Sequence, residues 1–207
     1  MPFEHRTVFR TGDEDVDAYR LMTAVVVPRP IAWVSTLSAD GVVNLAPHSF
    51  YTVACANPPI VQFTSVGAKD TLRNAEATGE FVVNLAHGPL LHAVNDSSAP
   101  FAPDAGEADA LGIAMEPSEV VAPPRVRDSP VSLECRLHST RLLGDSTVVL
   151  GSVQVITVAD DVLVDGHPEY SLLDPLARLG KDEWGVRAEV TSVTRPRRAE
   201  DVREPRR

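Results

Sequence analysis

Residues 29–74 read RPIAWVSTLSADGVVNLAPHSFYTVACANPPIVQFTSVGAKDTLRN, and the spacing of their apolar positions decides the fold. Ile31, Trp33, Ser35 and Leu37 face one way and Ala32, Val34 and Thr36 the other, the period-two alternation of a strand. Asp40-Gly41 lies between two apolar runs, where a hairpin turn is expected. Ile60, Gln62 and Thr64 alternate with Val61, Phe63 and Ser65, giving a further strand that passes through Gly67. A helix is predicted over 71–78, with Asp70 as its N-cap and Gly79 as its stop. Pro47 cannot donate a ladder hydrogen bond, so it marks a strand edge or a bend.

The same alternation continues outward. Phe81, Val83 and Leu85 alternate with Val82 and Asn84, and Val131, Leu133, Cys135 and Leu137 with Ser132, Glu134, Arg136 and His138. Further strands are expected over 147–158 and 185–193, with Gly144-Asp145 closing a second hairpin. Helical pattern is scarce: short turns are predicted at 89–95, 107–111 and 173–179. Proline-rich stretches at 99–104 and 117–130 read as surface connections. Many short strands with few helices make the chain mainly β, an antiparallel barrel rather than a parallel α/β sheet. No repeat or linker divides it. One barrel domain is expected over 21–194, preceded by an N-terminal extension at 1–20 and followed by an arginine-rich tail at 195–207, expected to be disordered.

At 207 residues the chain is large enough to bury its own core, and 43% hydrophobic with 23% charged residues is ordinary for a globular protein. A net charge of −10 argues against nucleic acid as a partner, since phosphate repels an acidic surface. The tail from Arg195 carries six arginines against three acids, leaving −13 on the rest. No window reaches the ~18 apolar residues of a membrane span, and the charged N-terminus lacks a signal-peptide core. Cys55 and Cys135, far apart and outside any C-x-x-C, read as buried thiols of a reducing compartment; the expected location is cytoplasmic.

Chemistry concentrates in three segments. The strand ending in Thr64-Ser65 leads to Lys69-Asp70-Thr71 at a helix start, where free N–H groups and the helix dipole favour an anion. Ser65 and Thr71 add hydroxyls, and Lys69 is one of only two lysines beside seventeen arginines. A capped helix with a solvated lysine is the plain alternative. In the second segment Asn44 and Ser49 bracket Pro47, and the small Ala46 lets a flat ring approach; a strand corner with Phe50 in the core is the plain reading here. Ring and phosphate in one ligand suggest flavin mononucleotide (FMN). His48 stands beside this proposed ring pocket. Thirdly, Tyr170, Arg178 and Trp184 offer an anion clamp and stacking faces for a second aromatic substrate, or else a packed loop. No metal site is expected: His87 and His92 are five apart with no third ligand nearby. Neither a Gly-x-Ser-x-Gly elbow nor a Gly-x-Gly-x-x-Gly fingerprint occurs.

Taken in order, RPIAWVST, NLAPHSFYTVACANPPIVQFTS, KDTLRNAEATGEFVVNL and DPLARLG resemble the flavin reductase-like family of FMN-binding split-barrel proteins. The resemblance implies a six-stranded Greek-key split barrel, a homodimer, and NAD(P)H-dependent flavin reduction, with FAD an alternative flavin and a flavin-dependent monooxygenase a possible partner. It assigns the ring to Ser35, Thr36, Asn44, Ala46, Ser49 and Phe50, and the phosphate to Ser65, Lys69 and Thr71 with Asn74 beside them. His48, Arg178 and Trp184 fall on the substrate side, with no indispensable acid–base residue. Trp184 departs from the family pattern, which more often shows glycine with tyrosine there. Other readings of the same barrel are reduction of ferric iron, a quinone or an organic substrate, a non-catalytic flavin carrier, or a site for another phosphorylated ring such as pyridoxal phosphate.

Overall fold

A computed structural model describes residues 4–102 and 105–201. Seven strands carry the architecture: β1 Ala32–Leu37, β2 Val43–His48, β3 Tyr51–Cys55, β4 Ile60–Val66, β5 Glu80–Leu85, β6 Val131–Leu143 and β7 Ser146–Val158. They form one antiparallel sheet in the order β2-β1-β5-β6-β7-β4-β3. β2 and β3 stand at opposite ends of that order, yet only Ser49 and Phe50 separate them in sequence. The sheet must therefore curl back on itself, and the Thr64 N–H donates to the Phe50 carbonyl at 2.9 Å, carrying the β3–β4 pairing up to the bend. Counting β2 and β3 as one bent strand gives the six of a split barrel, the fold expected.

Among the described residues five α-helices decorate it: α1 Ala18–Val25, α2 Asp70–Thr78, α3 Leu91–Asp96, α4 Glu107–Ala110 and α5 Tyr170–Leu173. Alternation on β1 sorts its side chains into two cores. Ala32 and Val34 join Val61, Phe63, Phe81, Val83, Cys135 and Val149 inside the barrel, with Leu72 and Ala75 of α2 in the same cluster. Ile31 and Trp33 pack outward with Leu45 against Val94 of α3, Ala108 of α4 and Leu176. The segment between β5 and β6 thus covers the outer face of β1 and β2. Inside, Phe81 leaves no room at position 151, where an added Cβ would lie 2.2 Å from its Cζ. Gly151 sits at a register shift in the β6–β7 ladder, so the close approach and the irregularity coincide.

Several expectations are corrected. Lys69, not Asp70, is the N-cap of α2, and Asp70 occupies the first turn. The expected helix over 173–179 is instead the short α5, which ends at Asp174 in the left-handed region just before Pro175. Ala177–Arg178 then pairs with Arg29–Pro30 and with Trp184–Gly185. The strand expected over 185–193 does not extend past Gly185, because Val186, Val190 and Val193 have nothing to pack against and stay exposed. α1 was not anticipated and crosses the expected boundary of the N-terminal extension. Residues 195–201 are exposed and include a short turn at Ala199–Asp201; the rest of the tail expected to be disordered, 202–207, lies outside the described residues. No helix among the described residues is long and apolar enough to cross a membrane.

Candidate functional site

The bend after β2 and the start of α2 meet at one end of the barrel. The Asn44 side-chain amide donates to the Thr71 hydroxyl at 3.0 Å, and the Asn74 amide to the Thr36 hydroxyl at 3.1 Å. These two bonds lock the helix onto the hairpin. Beside them opens a cleft of about 290 Å³ whose wall includes Asn44, Ala46, His48, Lys69, Thr71 and Arg73. One neighbouring cleft, sharing Asn44, Asp70, Arg73 and Glu107 with it, reaches Asn74 and Ser38. Another, sharing Pro47 and Ser98, holds Ser49, Arg178, Trp184 and Tyr19. A continuous groove therefore runs from Asn74 past Lys69 to Trp184.

The middle of this groove holds a cation and an uncapped helix start above a buried histidine. His48 is 6% exposed, its ring 4.7 Å from that of Phe63, and its Nε2 has no hydrogen-bond partner. Burial first, then the charge of Lys69, pulls its pKa down to about 4 against an opposing backbone group of Thr64. The ring is neutral at pH 7. At the α2 start the Lys69 side chain makes no capping bond, so the first-turn amides receive no acceptor from it and the dipole end stays open. Among the described residues Lys69 has no carboxylate within salt-bridge distance. Arg73 does: it pairs with Asp70 and also donates to the Ala68 carbonyl at 2.5 Å. An exposed ammonium and an open helix end together suit an anionic, phosphorylated ligand.

Not every expected residue reaches the groove. Ser35 is fully buried, its hydroxyl donating to the Pro124 carbonyl at 2.6 Å and accepting from Asn84 at 3.2 Å. Ser65 is likewise buried, and its hydroxyl donates to the Gly67 carbonyl at 2.8 Å, shaping the turn into α2. Thr36 lies beneath Asn74, and Phe50 stands half-buried with its ring 6.4 Å from that of Tyr19. Tyr170 lines a separate depression with Arg187, so the third member of the Arg178–Trp184 wall is Tyr19. Sequence reasoning missed Tyr19, Arg73 and Glu107. Glu107 is 8% exposed and accepts the Leu45 N–H at 2.8 Å, tying α4 to β2; burial chiefly raises its pKa. Arg73 carried one usable signal, its position four residues after Lys69 on the same helix.

A barrel with such a groove defines a class, and comparison with known proteins agrees with it. Residues 22–173 match the family model described as a flavin reductase like domain. The chain belongs to the flavin reductase-like family. It is 40% identical over 190 residues to an uncharacterised protein of Halalkalibacterium halodurans, covering 86% of this chain and 90% of the relative. Among solved structures it is similar to nitrilotriacetate monooxygenase component B from Bacillus cereus, 27% identical with a TM-score of 0.86, covering 93% of this chain and 100% of that one. A 2-nitrobenzoate 2-nitroreductase from Pseudomonas fluorescens is similar at 26% identity and a TM-score of 0.85, covering 93% and 97%.

Proposed function

We propose that this protein is an FMN-binding oxidoreductase that reduces flavin with NADH or NADPH. The observation that carries this reading is the cleft in which an exposed ammonium, Lys69, stands at the uncapped start of α2. In it Lys69, Thr71, Arg73 and the first-turn amides hold the phosphate, while Asn44, Ala46, Ser49 and the backbone of the bend carry the ring. Flavin, when bound, supplies the redox chemistry, accepting hydride from a nicotinamide and passing electrons on. The protein's own task is then to position two reactants and exclude water between them. His48, neutral at pH 7, adds no second positive charge beside Lys69. FAD is accommodated in the same reading, since the groove continues past Lys69 to Arg73 and Asn74.

The protein is further proposed to work as a cytoplasmic homodimer that supplies reduced flavin to a monooxygenase, a reading supported by its similarity to a monooxygenase component B. A second reading, direct reduction of an organic acceptor, is favoured by the Arg178–Trp184 cleft and by the similarity to a nitroreductase. Omitting free FMN separates the two: NAD(P)H oxidation stops in the first case and continues in the second. Anaerobic mixing of the flavin-loaded protein with NADH and with NADPH tests the whole. Bleaching of the oxidised flavin band by at least one donor is expected; an unchanged band with both refutes reductase activity.

A further inference from the structure

The cleft at the Trp184 end of the groove has a composition unlike the rest of this acidic chain. Its volume is about 280 Å³, and Tyr19, Pro47 and Trp184 supply flat walls beside the polar Ser49, Asn95 and Ser98. Arg178 is the one charged residue lining it, in a protein with 29 acids and 19 bases. Pairing in register places Arg29, Arg178 and Trp184 on neighbouring strands facing the same side. Arg178 rests on the Trp184 ring at 4.7 Å and donates one N–H to the Lys181 carbonyl at 3.0 Å. Among the described residues no carboxylate lies within 4.0 Å of it.

Arg29 explains why this cation stays available. It is buried and its guanidinium is taken up by backbone, donating to the carbonyls of Thr23, Val26 and Leu179. Those bonds join the end of α1, which carries Tyr19, to the loop that follows Arg178. Two opposing walls are thereby held together without any acid. Burial and then the charge of Arg178 lower the Arg29 pKa, so the two guanidinium fields overlap and neither is neutralised.

We propose that this cleft binds a planar aromatic ring carrying one carboxylate, with Arg178 as the carboxylate's partner and Trp184 and Tyr19 as the ring's walls. A volume of about 280 Å³ suits a single ring with one charged group at this end of the groove. Guanidinium and carboxylate match as a fork, and stacking on Trp184 holds the guanidinium plane in place. Binding here needs no flavin, so the cleft's role as acceptor site rests on the function proposed above while its ligand chemistry does not.

Trp184 fluorescence reports occupancy, because the other tryptophan, Trp33, is fully buried behind it in the core. Titration with benzoate is expected to quench it, with benzamide, the uncharged isostere, binding about tenfold weaker or worse. Arg178→Gln should bring benzoate down to the benzamide level at an unchanged melting temperature. Equal affinity for the two ligands, absence of quenching by either, or full benzoate affinity in Arg178→Gln overturns the proposal. Should that variant fail to fold, the benzoate-to-benzamide ratio on the unaltered chain decides alone. An FMN titration of the same sample keeps the outcomes apart: discrimination of benzoate without FMN binding sinks the proposed function and leaves this site standing.

Discussion

Midway along the barrel wall Asn84 makes every hydrogen bond its amide favours, whereas at the barrel's end His48 leaves a ring nitrogen unmet. Asn84 donates to the Trp33 carbonyl at 3.0 Å and the Ser35 hydroxyl at 3.2 Å, and accepts from the Val126 N–H at 2.9 Å and the Ser132 hydroxyl at 3.0 Å. Both side chains are buried, and both lie among β-strands. The Asn84 knot ties β1, β5, β6 and the connection before β6 to one another, so its polarity serves the fold. Among the described residues the Lys69 ammonium and the first-turn amides of α2 have no such side-chain partners. Lys69 is exposed, so water meets these donors in the free protein and a bound phosphate can take its place.

This contrast makes its own tests. The largest effect is expected at Asn84: Asn84→Ala removes four buried hydrogen bonds and should cost roughly 3–5 kcal/mol of stability by urea unfolding. Flavin affinity of the fraction that remains folded should be unchanged; a joint loss would mean the two regions are not separate. Next comes pH. His48 titrates near 6.5 unfolded and about 4 folded, so its contribution is full above about 6.5 and declines as pH falls toward 4. The loss is on the order of 3 kcal/mol, and His48→Gln should remove that part of the slope in unfolding measured across the window. Lys69→Ala should weaken FMN binding by roughly 1.5–3 kcal/mol in a fluorescence titration, with little effect on stability. Smallest is Gly79→Ala at the left-handed end of α2 (φ 74°), worth about 1–2 kcal/mol of stability. It should leave flavin binding alone, since it lies at the opposite end of the helix from Lys69.

Much of the barrel was legible because alternation is local. β1, β2, β4, β5 and the long β6–β7 hairpin each declare their faces within a few residues, and the Lys69 helix start declares its charge. What escaped depended on partners far along the chain. α1 is an eight-residue helix with no buried residue, held at its end by Arg29, which also reaches Leu179 150 residues away. Ser35 and Ser65 look alike in sequence to Ser49, yet Ser35 serves Pro124, 89 positions on, and Ser65 the turn at Gly67, while Ser49 lines the groove. A hydroxyl in a strand carries no mark of which role it has. Val186 and Val190 fall on one face at strand spacing with Ala188 between them, but no sheet edge receives them.

The account stands or falls on whether the groove at Lys69 grips a phosphate attached to a flavin ring. Titrating the purified, ligand-stripped protein with FMN and with riboflavin, which differ only in that phosphate, measures this directly. FMN binding at least about tenfold tighter than riboflavin, with the gap closed in Lys69→Ala, is the predicted result. Equal affinity for the two, or no affinity for either, contradicts it.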